Sequence, residues 1–188
     1  MKALKFLPLL LGLIFISCGG EEEVEYTEKE ESALPTADYD ELSAELDSLE
    51  LVIAENPSDK KAIRKAITRM QDFADFFPDD AKAADYLLKA SDLCLMVDEP
   101  AMSVKILDKI LNKYPDYEKI SDVLYVKADH LDWELRDTIK AKETYQKFID
   151  TYPHDNRAAD AKLRIKYIAY GWEAYTNMVI NGEIEPVQ

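Results

Sequence analysis

Few residues in this sequence combine a reactive side chain with a spacing that suits chemistry. Cys94 lies in an apolar stretch of helical character, where a buried thiol is expected rather than a nucleophile. His130 and His154 are isolated, with no second histidine or cysteine at ligand spacing, so no metal site is predicted. Cys18, which follows an apolar run near the start of the chain, is the residue best placed for a covalent modification.

Acids and glycines do not form a catalytic pattern either. Asp79 and Asp80 directly follow a proline, where a carboxylate can accept the first amides of the next helix. Beyond residue 36 the only glycines are Gly171 and Gly182, which leaves no glycine-rich phosphate-binding loop. We therefore expect no enzymatic activity, no cofactor, no metal and no small-molecule substrate.

The first 17 residues have the pattern of a secretion signal. Lys2 and Lys5 precede an apolar run over residues 6–16, which is too short to span a bilayer because about 20 residues are needed. Residues 15–18 (Phe-Ile-Ser-Cys) resemble a bacterial lipobox. That resemblance implies removal of residues 1–17, diacylation of Cys18 and a lipid anchor in the outer membrane, on its periplasmic face or at the cell surface. The alternative is an ordinary signal peptide with an incidental cysteine.

Residues 18–37 are expected to form an acidic, disordered tether after the lipidated cysteine. Residues 19–36 hold seven glutamates and one lysine, so like charges repel and apolar content is too low to drive collapse. One interpretation is a solvated spacer. The other is an export signal, because acids shortly after the lipidated cysteine resemble that signal in some surface lipoproteins.

Charge and composition restrict the class of partner. The chain has 23 Lys and Arg against 38 Asp and Glu, a net charge of -15. Nucleic acid and anionic lipid surfaces are poor partners because no basic excess exists to release phosphate counterions, so membrane contact is expected through the lipid anchor alone. Only 5 glycines occur in 188 residues, a composition typical of helices rather than sheets.

Three aromatic–proline pairs divide the rest of the chain at near-constant intervals. The prolines are Pro78, Pro115 and Pro153, spaced by 37 and 38 residues. Ahead of each one, a small residue is followed by apolar residues at spacings of four, three and four, which is one face of a helix. In the two full repeats this face holds Ser103, Leu107, Ile110 and Tyr114, then Ala141, Tyr145, Phe148 and Tyr152.

Each repeat is expected to be a helical hairpin that ends at its proline. Residues 88–90 (Leu-Lys-Ala) match residues 126–128 (Val-Lys-Ala), which places Ala90 and Ala128 where the helices of a hairpin approach closely. Proline ends the second helix because it forces the residue before it out of the α region. Acids act as start signals for the helices that follow: Asp79, Asp80, Asp98, Asp137 and Asp155.

This pattern resembles the tetratricopeptide repeat family over residues 57–170, with full repeats at 79–115 and 116–153. The resemblance implies an all-α superhelix of about three stacked hairpins, within a domain at 38–178 followed by a tail at 179–188. The alternative is a plain antiparallel helical bundle. Helices are predicted at about 38–55, 58–76, 80–96, 100–114, 118–135, 138–152 and 156–178, the last as a cap. The residues that carry the resemblance are Ala90, Ser103, Leu107, Ile110, Pro115, Ala128, Ala141, Tyr145, Phe148 and Pro153.

Candidate partner-binding residues come from surplus aromatics and from a mildly basic end. Tyr86, Tyr125 and Trp133 exceed what the aligned core positions require, and they belong either to the groove or to the packing between repeats. Residues 137–170, which include Lys140 and Arg164, hold seven bases and five acids. That end is either a site for an acidic segment of a partner or an ordinary solvated surface.

The function implied by these features is protein binding in the bacterial cell envelope. A lipid-anchored tetratricopeptide domain resembles the repeat lipoprotein of the outer-membrane barrel-assembly machinery, and its groove would hold a peptide or helix of an envelope protein. Two alternatives share the repeat. One is a coordinator of the Tol–Pal or peptidoglycan-synthesis type, and the other is a structural component of a surface uptake or motility apparatus.

Overall fold

A computed structural model describes residues 38–183, and within that range every regular element is helical. The all-α prediction is therefore confirmed for these residues. The signal segment, Cys18, the acidic tether and residues 184–188 of the tail lie outside the described range. None of the helices between residues 38 and 183 combines the length and the apolar content needed to cross a membrane.

Between residues 38 and 183, eight α-helices follow one another with short connections. Each helix from α1 to α7 packs mainly against its neighbours along the chain, so that the architecture is a series of hairpin-like contacts. The helices are α1 (Tyr39–Glu55), α2 (Lys60–Phe76), α3 (Ala83–Met96), α4 (Pro100–Lys113), α5 (Ile120–Trp133), α6 (Thr138–Thr151), α7 (Ala158–Tyr167) and α8 (Gly171–Ile180), with a 3-10 turn at Ile168–Tyr170.

The interval between prolines is nearly constant because the helices of successive repeats, and the connections between hairpins, have equal lengths. Helices α3, α4, α5 and α6 each contain 14 residues. The connections between hairpins, residues 77–82, 114–119 and 152–157, are also equal in length. The connection inside a hairpin spans residues 97–99 in one repeat and residues 134–137 in the next. That one additional residue accounts for the spacing of 38 rather than 37.

The aromatic residue before each proline ends its helix in the predicted way. Phe77, Tyr114 and Tyr152 have φ between -124° and -127° and ψ between 57° and 59°, outside the α region. Their amides still donate to the fourth residue back, which closes the last helical turn. Proline causes this backbone conformation because its ring clashes with a helical residue in front of it.

The acids after these prolines do not cap helices, and this prediction is wrong. Asp80 and Asp155 accept hydrogen bonds from the amides of Lys82 and Arg157 inside the connection. The following helices begin at Ala83 and Ala158, and their N-cap positions have no side-chain cap. The first residues after each proline form tight backbone turns. The helix therefore begins about one turn later than was predicted from the positions of the acids.

Start signals inside the hairpins differ between the two repeats. Pro100 occupies the first turn of α4, as the sequence predicts, but Glu99 at the N-cap makes no side-chain cap. At α6, the Asp137 carboxylate accepts a hydrogen bond of 3.1 Å from the amide of Lys140. Only α6 of these two helices therefore has a capping carboxylate.

Replacing Asp137 with alanine should lower the melting temperature by roughly 2–4 °C, because the amide of Lys140 in the first turn of α6 then loses its hydrogen-bond acceptor. The measurement is thermal unfolding followed by circular dichroism. Asp116→Ala is the matched control, since Asp116 is an exposed acid of a connection. An equal fall in both variants would show that lost charge, rather than lost capping, is responsible.

The last predicted helix, 156–178, is not continuous, which corrects that prediction. Helix α7 ends at Tyr167, and the chain passes through the 3-10 turn into Gly171, whose φ is +73°. Glycine adopts this left-handed conformation without a steric penalty, so the helix axis can change direction there. Helix α8 then contacts mainly the 3-10 turn, instead of lying along α7 as the second arm of a hairpin.

Candidate partner-binding surfaces

The residues that carry the repeat pattern form the core between helices. All eight non-proline members are completely buried, whereas Pro115 and Pro153 are exposed in the connections. Small side chains let the helices approach, and large ones fill the remaining space. The buried set is therefore packing material and is not accessible to a partner: Ala90, Ser103, Leu107, Ile110, Ala128, Ala141, Tyr145 and Phe148.

The register between α3 and α5 differs by one residue from the sequence alignment. Both helices begin five residues after a proline, so Ser91 rather than Ala90 is equivalent to Ala128. Burial matches at this pair, since Ser91 and Ala128 are both completely buried, but it differs at the neighbouring pair, since Ala90 is completely buried and its equivalent Lys127 is only partly buried. The Ser91 hydroxyl donates to the Leu88 carbonyl at 2.6 Å, which satisfies it inside the core.

Two of the reactive side chains noted in the sequence, His130 and Cys94, are buried in the fold. His130 is 6% exposed, its Nδ1 lies 2.8 Å from the Ser103 hydroxyl, and burial lowers its pKa. Burial likewise raises the pKa of the Cys94 thiol to about 11, so the reactive thiolate is disfavoured at neutral pH. Within residues 38–183, no group of three or more histidine, cysteine or acidic side chains is arranged to hold a metal ion.

An ion pair recurs at the same position of successive hairpins. Lys119 Nζ lies 2.7 Å from Asp85 Oδ1, and Arg157 Nη2 lies 2.7 Å from Asp122 Oδ1. Each cation stands four residues after its proline, and each acid stands seven residues after the preceding proline. The contact joins the start of one odd-numbered helix to the next, from α3 to α5 and from α5 to α7. Successive hairpins therefore meet through equivalent side chains.

Even-numbered helices form a second set of such contacts. Asp75 of α2 forms ion pairs with two lysines of α4. Lys109 Nζ lies 2.7 Å from Asp75 Oδ2, and Lys113 Nζ lies 3.1 Å from Asp75 Oδ1. At the end of α4, the Tyr114 hydroxyl donates to the Ala74 carbonyl at 3.2 Å. These contacts join α2 to α4, as the first set joins α3 to α5 and α5 to α7.

The Arg157 guanidinium also holds the Asp155 carboxylate through two hydrogen bonds, at 2.9 Å and 2.7 Å. Chiefly through these bonds, it lowers the pKa of Asp155 from 3.8 to about 2. A depressed carboxyl pKa contributes stability that is present above pH 3.8 and is lost as the pH falls through about 2.

In Arg157→Met, we expect the Asp155 carboxyl to titrate closer to its ordinary value of 3.8. The change removes the charged partner but leaves the amide of residue 157 as a donor, so a partial return is expected. The pKa of the Asp155 carboxyl is measured by following its ¹³C chemical shift as a function of pH. The shift of Asp137, which is bonded to Lys140 instead, should not change. An unchanged Asp155 titration would contradict the assigned cause.

Two of the sequence-predicted binding residues, Arg164 and Trp133, are engaged between α5 and α7. Arg164 Nε donates to Asp132 Oδ2 at 2.9 Å, a second bond comes from Nη2, and the guanidinium lies 4.4 Å from the Trp133 ring centre. The side chains of Arg164 and Asp132 are only 11% and 5% exposed. Arg164 therefore neutralises a buried acid of the fold and does not present its charge to a partner, which corrects its assignment.

The other three candidates differ in accessibility. Tyr86 is 9% exposed and packs edge-on against Phe73 at 4.8 Å, so it belongs to the core rather than to a groove. Tyr125 is half-buried, and its hydroxyl donates to Asp160. Lys140 is exposed and forms an ion pair of 2.7 Å with Asp137.

A groove with a volume of about 370 Å³ lies between α4, α5 and α6, with Lys140 at its rim. Its floor includes Val104, Leu131 and Leu135. The lining also includes three lysines and three acids, and two of the lysines are ion-paired with neighbouring acids. The groove is therefore a mixed surface that does not select for one sign of charge.

A second surface was not predicted from the sequence. Its members are half-buried or exposed side chains spaced four residues apart on each of two odd helices. We call it the odd-helix face, and it consists of Leu88, Asp92 and Met96 on α3 and Tyr125, Asp129 and Trp133 on α5. Every α5 member follows its α3 equivalent by 37 residues, a spacing that is visible in the sequence once the helix starts are known.

Comparisons with known proteins do not identify a family for this chain. No protein-family model, no curated protein and no solved structure matches this chain.

Proposed function

We propose that this protein is a lipid-anchored tetratricopeptide-type scaffold that binds another protein of the bacterial cell envelope. The observation that supports it most is the recurrence of the Lys119–Asp85 ion pair as Arg157–Asp122 in the next hairpin. Such a recurrence is expected when identical hairpins stack with a constant offset, and it is not required of a plain helical bundle.

Packing gives the proposal its physical basis. One hairpin of two 14-residue helices is too small to bury its own apolar stripe, so it is stable only against a neighbouring hairpin. Stacked hairpins would present the outer surfaces of their helices to a partner along the array. A scaffold function uses this extended surface, and it requires no catalytic group.

Lipid anchoring can be tested by changing Cys18 to serine. Serine cannot take the thioether-linked diacylglycerol, so the protein should move from the membrane fraction to the soluble fraction after cell lysis. Quantitative immunoblotting of both fractions measures this. Membrane association that is unchanged in Cys18→Ser would contradict the lipid anchor. Protease treatment of intact cells is a separate measurement, which reports whether the protein is exposed at the cell surface.

Partner binding can be tested by photo-crosslinking in cells. A photoreactive phenylalanine is placed at Met96 on the odd-helix face, at Lys105 on the groove rim, or at Glu118 in a connection as the control. Crosslinked products from detergent-solubilised membranes should appear at one or both of the first two positions and not at Glu118. Barrel-assembly components, peptidoglycan enzymes or surface-apparatus proteins in those products would identify the system, and no product at either position would contradict the scaffold function.

A further inference from the structure

The last part of the array differs from the earlier hairpins, because α7 has no second arm. Helix α4 packs along α3 and α6 packs along α5, but among residues 38–183 no helix packs along α7 in the same way. Helix α8 contacts mainly the 3-10 turn, since the chain changes direction at Gly171. An open groove with a volume of about 570 Å³ lies between α6 and α7, and its lining includes Lys142, Lys147, Asp150 and Ile165. We call it the end groove.

Two lysines of α7 occupy positions that are buried in the earlier repeats. Lys162 stands nine residues after its proline, where α3 and α5 have buried leucines. Lys166 stands four residues later, where α3 and α5 have a serine and an alanine that are completely buried. In α5 these positions are Leu124 and Ala128, and both belong to a buried cluster with residues of α6. The two lysines, which are exposed, therefore stand where the next helix of an array would pack.

Lys142 shows the same replacement on α6. It aligns with Ile67 of α2, which is buried, and with Val104 of α4, which packs against the cluster that contains the core residues of α6. Lys142 is exposed and lines the end groove together with Ile165. A position that is apolar in α2 and α4 is thus charged and open to solvent in α6.

Lys147, which also lines the end groove, has no acidic partner. It aligns with Lys109, which forms an ion pair with Asp75 of α2. In α4 the position of Asp75 is taken by Asn112, so no carboxylate is present there to receive Lys147. The ion pair that joins α2 to α4 is therefore not repeated between α4 and α6.

The end groove and the adjoining side of α7 carry an excess of unpaired positive charge. Among the described residues, Lys142, Lys147 and Lys162 have no carboxylate within ion-pair distance, whereas most lysines and arginines do. Two acids also line the groove, and one of them, Asp150, accepts a hydrogen bond of 2.8 Å from the Gln146 amide. A polar end of either sign keeps a repeat array soluble, but in a chain with a net charge of -15 an excess of lysines creates a local positive field, which attracts acidic partners.

We propose that an acidic amphipathic helix of a partner protein binds in the end groove, along α7, as α4 lies along α3 and α6 along α5. This inference rests on the proposed scaffold function, because it names the chemistry of the partner. Acidic side chains of the helix pair with Lys142, Lys162 and Lys166, and its apolar side chains pack on Ile165 and on the lysine stems. Helices α4 and α6 have 14 residues each, so a partner helix of about four turns fits.

The end groove adjoins the groove between α4, α5 and α6, because Glu143 lines both of them. A partner whose helix lies in the end groove can therefore continue past Glu143 towards Lys105, which is a crosslinking position in the test of the scaffold function. A basic helix is disfavoured in the end groove, since it would bring like charge to unpaired lysines.

The direct test uses the full chain, purified in non-ionic detergent, and a fluorescein-labelled peptide of four Ala-Glu-Leu-Glu units. One control peptide has glutamine in place of every glutamate, and another has proline in place of the third alanine, which breaks a helix. Fluorescence anisotropy at about 50 mM salt should show binding of the glutamate peptide, and each control should bind about tenfold more weakly or less. Equal affinity for the glutamine peptide, equal affinity for the proline peptide, or no binding of the glutamate peptide would overturn the inference.

Matched variants separate the end groove from overall charge. Lys142→Gln with Lys162→Gln removes two positive charges, and affinity for the glutamate peptide should fall by about tenfold. Lys61→Gln with Lys82→Gln removes two other exposed lysines that lack an ion pair, one in α2 and one before α3, and affinity should change less than about twofold. Equal losses in the two double variants would mean that bulk charge attracts the peptide, and no loss in either would also overturn the inference.

Folding does not obscure this comparison. Lys142 and Lys162 are exposed and form no ion pair among the described residues, so glutamine should leave the melting temperature nearly unchanged, and thermal unfolding checks this. Sedimentation of the chain without peptide tests a different occupant. Salt-sensitive self-association that is lost in Lys142→Gln with Lys162→Gln would assign the end groove to a second copy and overturn the partner assignment, whereas a monomer agrees with it.

Failure of this inference can be told from failure of the scaffold function. A protein that crosslinks a partner in cells but ignores the glutamate peptide keeps the scaffold function and loses the acidic-helix assignment.

Discussion

Ala128→Arg should abolish the cooperative unfolding transition of the protein. Ala128 is completely buried in a cluster with Leu124, Leu131, Ala141 and Tyr145. An arginine there must either force α5 and α6 apart or bury an unpaired charge, and overpacking alone costs about 1–3 kcal/mol before the several kcal/mol for the charge. The sum is comparable to the whole stability of a small domain.

Circular dichroism and calorimetry of purified protein measure this loss. Ala159→Arg is the control, because Ala159 is an exposed alanine within the first turn of α7 and accepts a long side chain without a clash. The control should melt within a few degrees of the unmodified protein. A sharp, near-normal transition in Ala128→Arg would show that the α5–α6 contact is not a close helix crossing.

Arg164→Met should destabilise the protein by about 3 kcal/mol or more. The change leaves Asp132, which is 4% exposed, with its charge buried and its two hydrogen bonds from Arg164 lost. Methionine keeps much of the volume, so the effect reports on charge rather than on a cavity. Chemical denaturation, analysed for the midpoint and the slope, gives the free energy of unfolding.

Two further variants test the physical cause. Asp132→Asn added to Arg164→Met should restore a large part of the lost stability, because the buried charge is then removed with its partner. Lys60→Met is the comparison for an exposed pair, since the side chains of Lys60 and Asp98 are 54% and 81% exposed, and it should have little effect. If the double variant were no more stable than Arg164→Met, the loss would come from packing.

The sequence predicted the helices and their period because the signals are local. A proline acts on the residue before it, so Phe77, Tyr114 and Tyr152 end their helices wherever the rest of the chain lies. Hydrophobic spacing along one face is also a property of a single helix. The acids after the prolines were misinterpreted because the same residue type closes a turn as well as it caps a helix, and only the backbone distinguishes the two.

The odd-helix face could not be predicted for a different reason. Matching residues 88–90 with 126–128 sets Asp92 against His130, and the equivalence of Asp92 with Asp129 is then lost. The additional residue of the second repeat lies in the connection 134–137, after α5, and no local signal indicates its position. Tyr86 was placed among binding candidates because the packing of neighbouring helices, which buries it, is a tertiary property.

The difference between the two kinds of connection has a consequence for how such a chain can change. The turn within a hairpin holds three residues in one repeat and four in the next, while α3–α4 and α5–α6 keep the same lengths. Insertions are thus accommodated at one edge of the array, whereas the six-residue links at the opposite edge have a uniform length and set the pitch from hairpin to hairpin. A foreign loop or epitope inserted after Asp98 or after Arg136, which are exposed, would be displayed without disturbing that pitch.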